Sequence, residues 1–221
     1  MLSKRDKAII NDLNRFRVMS LTDIADIHFK GLKRPSNSAN NVLNRLYRDG
    51  RIKRSTAFQP YVYFGPDINM KENSAKIGHY LAIVETYKDI LRLGELMVFN
   101  VEPKFGAKGT VEPDGFCIAL KTPFFIEVQK TLYSEKVMRE KLQRYEDLYH
   151  SGIIQNEPWQ PKDRAPVFPY VLILTQHRYA VDGDYPFRVF QAESFEQFLS
   201  SIRQKPQPTI KSNNGVIKYK V

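Results

Sequence analysis

The stretch Val111–Lys130, VEPDGFCIALKTPFFIEVQK, constrains the chain more than any other. Phe116, Ile118 and Leu120 alternate with smaller or polar residues. A turn follows at Lys121–Pro123, and then comes the apolar run Phe124, Phe125, Ile126 with Val128 beyond. This pattern predicts two strands joined by a tight turn. Asp114 stands near the start of the first strand and Glu127 inside the second. An unpaired carboxylate is costly to bury in an apolar strand. Two of them on a paired hairpin can meet on one face and hold a hard cation such as Mg²⁺.

The 221 residues are enough for one large domain or two small ones, with a core that needs no staples. The single cysteine, Cys117, allows no intrachain disulfide, fits a reducing compartment, and reads as a small buried hydrophobe. Met1–Lys7 is charged and no signal-like apolar segment follows it. No apolar run approaches the roughly 18 residues of a membrane span. The expectation is a cytoplasmic protein with no membrane partner.

Charge is distributed unevenly. Residues 1–65 hold 13 Lys and Arg against 5 Asp and Glu, a surplus of eight within a total of +10. Such a concentration is the footprint of a polyanion, usually nucleic acid.

Residues 4–17 place Ile9, Ile10, Leu13 and Phe16 at helical spacing. A second, short helix begins near Ser20, with Asp23 completing a weak capping box. A basic turn, Lys30–Pro35, leads to a third helix from about Ser36 or Ser38 to Arg48. Val42, Leu43 and Leu46 face inward there, with Tyr47 at the edge. Asp49-Gly50 ends it, and Arg51–Ser55 and Tyr61–Phe64 form a basic hairpin. Leu21–Arg48 and this hairpin resemble a winged helix-turn-helix. That resemblance implies contacts with double-stranded DNA from Lys33, Arg34, Asn37, Ser38, Asn40, Asn41, Asn44, Arg45 and Arg48. The wing residues Arg51, Lys53 and Arg54 would bind its backbone.

Asp67–Ser74 is polar and reads as a linker. Ala75–Leu93 is a strong helix, with Ile77, Leu81, Val84, Tyr87 or Lys88, and Leu91 at the right spacing; Gly94 ends it. His79 lies near its apolar stripe, read as a core or partly exposed histidine before a metal ligand. Glu95–Val101 is a strand. The glycines of Pro103–Gly109 are too close for a P-loop. Ser134–His150 is a helix with Val137, Met138, Leu142, Tyr145, Leu148 and Tyr149 apolar. Residues 155–169 form a long loop, Tyr170–Thr175 a central strand, Val189–Gln191 a last strand and Ser194–Arg203 a last helix.

From Ala75 the order helix, three strands, helix, strand resembles the PD-(D/E)XK nuclease fold, with Pro113-Asp114 and Glu127 at the motif positions. In that family the Asp and Glu bind Mg²⁺, and a Lys two places after the Glu orients water. Here that place holds Gln129; Lys130 is one residue late and so on the opposite face. Asp114, Glu127 and Gln129 are therefore the implied catalytic set, with Asp114 and Glu127 the metal ligands if the site is live. Glu102 or Glu112 is a candidate further carboxylate. Gln143 and Tyr145 are similar to a Gln…Tyr element of some members. The succession Pro113-Asp114-Gly115, Glu127-Val128, Thr131 and Lys141…Tyr145 after a basic winged helix resembles the replication-relaxation family of Gram-positive plasmids and mobile elements.

The expected fold class is α+β. A winged helix (1–66), a linker (67–74), a nuclease-like domain with a central mixed sheet (75–203) and a basic, mobile tail (204–221) follow in order. The reading placed first is a duplex-DNA-binding protein in control of replication or DNA processing, with a degenerate nuclease-like domain. Replication or transfer proteins, or a second copy of the chain, are candidate partners, and the one candidate cofactor is Mg²⁺. The alternatives are a Mg²⁺-dependent endonuclease and a winged-helix transcription regulator.

Overall fold

Two serine-capped helices begin the chain. In the computed structural model, which describes residues 1–181 and 183–203, Ser3 caps α1 (Lys4–Phe16) and Ser20 caps α2 (Leu21–His28). Each forms a full capping box, with Asp6 and Asp23 at the third helical position. The third helix, α3 (Pro35–Arg48), opens on proline, whose missing N–H is no loss at a helix start. It starts slightly earlier than its sequence pattern suggests. Ala39, Leu43 and Leu46 are its buried residues, while Val42 is only half-buried and Tyr47 is exposed.

The expected hairpin is β2 (Lys53–Ser55) and β3 (Val62–Phe64), joined by a strand the sequence pattern did not reveal, β1 (Val18–Ser20). The three form an antiparallel sheet in the order β1-β3-β2.

The remainder is built on a mixed five-stranded sheet. Its strands are β4 (Leu96–Val101), β5 (Gly115–Ala119), β6 (Thr122–Gln129), β7 (Tyr170–Thr175) and β8 (Val189–Ala192), adjacent in chain order. The first three are antiparallel; β7 and β8 run parallel to β6. The β5–β6 turn is Leu120-Lys121, both at positive φ, and Pro123 already belongs to β6. That is one residue earlier than Lys121–Pro123, because a two-residue hairpin loop matching strand twist needs both residues in the left-handed region.

Helices cover both faces of this sheet. On one lie α4 (Ile77–Leu93) and α6 (Phe195–Arg203), against Cys117, Phe124, Ile126, Val128 and Leu172. On the other lies α5 (Glu135–His150), whose Met138, Leu142, Tyr145 and Leu148 meet Phe116, Phe125, Val171 and Ile173. Val137 and Tyr149, expected on that apolar face, are partly exposed. No described helix is long and apolar enough to cross a membrane.

The first apolar core does not stop at the segment 67–74. It runs without a break from Ile9, Leu13 and Phe16 through α4 into the sheet. Ile68 and Met70 pack against it, and Lys53 Nζ donates to the Ile68 carbonyl at 2.9 Å. This segment is therefore pinned to its neighbours. Expectations for the tail from 204 lie outside the described residues.

Because α4 has the N-terminal helices on one side and the sheet on another, its buried residues do not form a single stripe. Tyr80, Ile83, Thr86, Lys88 and Ile90 are buried, while Leu91, expected inside, is exposed. Lys88 Nζ sits 2.9 Å from each of Asp23, Asp26 and Glu85. Only Asp23 is buried with it. Removing one partner of a buried ion pair strands the other. Lys88→Ala should lower unfolding stability by about 3 kcal/mol, read as a shift in the urea midpoint at unchanged slope. An exposed pair such as Lys136–Glu140, treated alike, should change it by less than about 1 kcal/mol.

Candidate functional site

The register of the hairpin brings the two carboxylates together. Gly115 pairs with Ile126, so Asp114 and Glu127 follow at the same end of β5 and β6. The Asp114 carboxylate accepts from the Val128 N–H at 2.7 Å with one oxygen. Its other oxygen lies 3.1 Å from His79 Nε2, on the first turn of α4. Glu127 is fully buried. It accepts a hydrogen bond from the Tyr145 hydroxyl at 2.6 Å and is bonded by the Lys141 ammonium. Lys141 and Tyr145 stand four residues apart on α5, one helical turn, and so share the face turned to the sheet.

Burial pulls the titrations of this cluster in different directions. Glu127 is pushed up to about 7 by burial, with the Asp114 charge adding to the rise and Lys141 and Tyr145 working against it. Asp114 would also be raised by burial, but the hydrogen bond and charge of His79, with Lys141 and the Val128 N–H, hold it below its usual range. His79 is raised, first by its bond to Asp114 and against its own burial. Lys141 is raised despite burial, because Glu127 and Asp114 face it.

Other residues singled out in the sequence fall at varying distances from this cluster. Gln129 lies on the Glu127 face but turns its amide to the Thr131 carbonyl at 2.7 Å. Lys130 is on the opposite face, where its ammonium donates to the Gly78 carbonyl of α4 at 3.0 Å. Glu102 adjoins the site through its N–H, which donates to the Asp114 carbonyl at 3.0 Å. Its carboxylate is held by the Tyr80 hydroxyl at 2.9 Å and by Arg17 Nε at 2.8 Å. Glu112 is exposed beside Lys104. Gln143 bonds Glu146 and Asp147 on the outer side of α5, so it does not join Tyr145.

All four oxygens of Asp114 and Glu127 thus have protein partners. Among the described residues no group of three or more His, Cys, Asp or Glu is arranged to hold a metal ion. As folded, both carboxylates are occupied by protein donors. Sequence periodicity could not reveal the cations that do this: His79 lies 35 residues before Asp114 and Lys141 lies 14 after Glu127. The helical spacing of Lys141 and Tyr145, and the place of His79 near the stripe of its helix, are the traces of them in the sequence.

The polar residues of the N-terminal unit divide into two groups. Arg45 bonds buried Asp6 at 2.6 Å and so ties α3 to α1. Lys53 is bonded to Ile68, and Arg54 donates to Asn44 while lying over the rings of Tyr47 and Tyr61. Ser38 and Asn40 are half-buried. Lys33, Arg34, Asn37, Asn41, Arg48 and Arg51 are exposed along α3 and the two turns that flank it; of these, Arg48 touches exposed Asp49. Comparison with family models, curated proteins and solved structures gives no match for this chain.

The titrations fix a pH dependence. Glu127 and His79 both bind their proton more tightly folded than unfolded, so the stability they confer is present at low pH and is lost as pH rises through their folded values. Asp114 acts oppositely, but only as pH falls below the ordinary carboxylate range. Unfolding free energy measured in urea should therefore fall between about pH 5 and pH 7.5, by up to about 3 kcal/mol for Glu127. Glu127→Gln keeps an acceptor for Tyr145 and should leave only the smaller His79 slope. An unchanged slope in that variant would refute the assignment.

Proposed function

We propose that the chain binds duplex DNA through α3 and the β2–β3 hairpin, used as a winged helix. In this reading the five-stranded domain is a nuclease-like scaffold whose carboxylates are held by its own cations. The observation that carries DNA binding is the set Lys33, Arg34, Asn37, Asn41 and Arg51. These cationic and amide side chains are exposed on and beside one helix, and none makes a side-chain hydrogen bond or ion pair among the described residues. Exposed guanidinium, ammonium and amide groups on one helix suit phosphates and base edges in a major groove. The motif succession from Pro113 to Tyr145 supports a place in plasmid or mobile-element replication or DNA processing.

Salt dependence tests this directly. Anisotropy of a labelled duplex should show affinity falling steeply between about 50 and 200 mM salt. Replacing Lys33, Arg34 and Arg51 together with alanine should flatten the log–log slope by about one for each phosphate that is no longer neutralised. A native chain whose duplex affinity ignored salt would sink the reading. Arg45→Ala, by contrast, should act mainly on stability, through Asp6.

The same geometry gives a second reading a definite test. Lys141 approaches Glu127 from α5, so it could take the part of the lysine missing from position 129. With supercoiled plasmid and Mg²⁺ or Mn²⁺, the proposal expects no nicking that distinguishes the native chain from Glu127→Gln. Nicking abolished by both Glu127→Gln and Lys141→Ala would instead make the chain an endonuclease with Lys141 in that part.

A further inference from the structure

At the other end of the five-stranded sheet lies a groove that neither the carboxylate cluster nor α3 accounts for. Its volume is about 520 Å³, and the residues that line it include Lys121, Arg164 and Arg188 together with Tyr149 and Phe168. No Asp or Glu lines it. None of the three cations forms an ion pair among the described residues. Thr122, at this groove, and Glu127 stand five positions apart on β6, about 17 Å along an extended strand.

The groove is built rather than incidental. The loop carrying Arg164 is clamped by Gln160, whose amide donates to the Ile154 and Val167 carbonyls at 2.8 Å and accepts from the Val167 N–H at 2.9 Å. Beside the clamp, Trp159 packs 5.1 Å from Phe116. Phe168 is braced by Phe125 at 5.5 Å and in turn supports Tyr149 at 5.3 Å. Tyr149 is nevertheless exposed.

Cations alone would suit any polyanion. Aromatic faces beside them add something only for a ligand with unstacked rings, since a duplex hides its base faces in the stack. We infer that this groove binds single-stranded DNA, with phosphates on Lys121, Arg164 and Arg188 and a base against Tyr149. The inference does not rest on the duplex reading, because it uses none of the same residues.

The test uses the full chain, a short labelled oligo(dT), an abasic oligomer of equal length, and a labelled duplex. Arg164→Ala/Arg188→Ala should weaken oligo(dT) binding about tenfold, the scale of one stacked base or a few phosphate contacts. Tyr149→Ala should weaken oligo(dT) and leave the abasic oligomer unaffected. Duplex affinity should hold in both, and the exposed arginines should leave the urea midpoint unmoved. Equal binding of oligo(dT) and the abasic oligomer by the native chain would reduce the groove to an anion patch and overturn the inference. So would oligo(dT) affinity that survives both variants, or that falls only together with duplex affinity.

Discussion

The domain depends on a glutamate buried in its central strand. Glu127 is fully buried on β6, and a carboxylate there requires partners in its immediate surroundings. Both come from α5, and because Lys141 and Tyr145 are one turn apart, meeting Glu127 fixes the rotation of that helix on the sheet. The same rotation turns Met138, Leu142 and Leu148 onto the aromatic residues beneath. Asp114 does the matching task on the α4 side. It is fixed to β6 through the Val128 N–H and reaches α4 through His79. One pair of carboxylates thus ties the helical layers on both faces to the strand between them.

Two further aspartates join the N-terminal helices by a related device. Asp6 and Asp23 each complete a capping box with one oxygen and take a cation from another helix with the second. Arg45 reaches Asp6 from α3, and Lys88 reaches Asp23 from α4. At the end of α1, Arg15 lies over Phe16, Tyr87 and Phe99, and Arg17 bonds Glu102. Glu102 is itself hydrogen-bonded through its backbone to Asp114. Basic residues at the junction therefore hold the N-terminal unit against the sheet, while those on the outer face of α3 stay exposed.

That division explains which features were legible in the sequence. The central hairpin, the apolar strand Tyr170–Thr175 and the helix Glu135–His150 follow from period and composition, and all are present. The opposite facing of Gln129 and Lys130 follows from strand geometry alone. By contrast, β1 is three residues long and too short for any period to reveal. The stripe of α4 misleads because that helix is packed on more than one side, so a lysine is buried where a leucine is exposed. Arg45, Lys53 and Arg54 look like surface charge because their partners are remote in sequence or belong to the backbone. Local pattern can place a charged side chain on a helix or strand, but not say whom it meets.

The carboxylate cluster has a charge that is itself a variable. With Glu127 protonated, Asp114 is balanced by Lys141, and protonated His79 leaves a net +1. Loss of the Glu127 proton brings the cluster to zero, and loss of the His79 proton brings it to −1. The Glu127 change falls at about 7, and His79, raised first by its bond to Asp114, keeps its proton to higher pH than an ordinary imidazole. A lysine at position 129, beside Glu127 on its own strand face, would have offset one of these steps. Gln129 cannot, since it is uncharged and its amide is turned to Thr131. The outer face of α3 depends on no such buried cluster: Lys33, Arg34 and Arg51 beside it are exposed and form no ion pair among the described residues, and it is there that the proposed contact with duplex DNA falls.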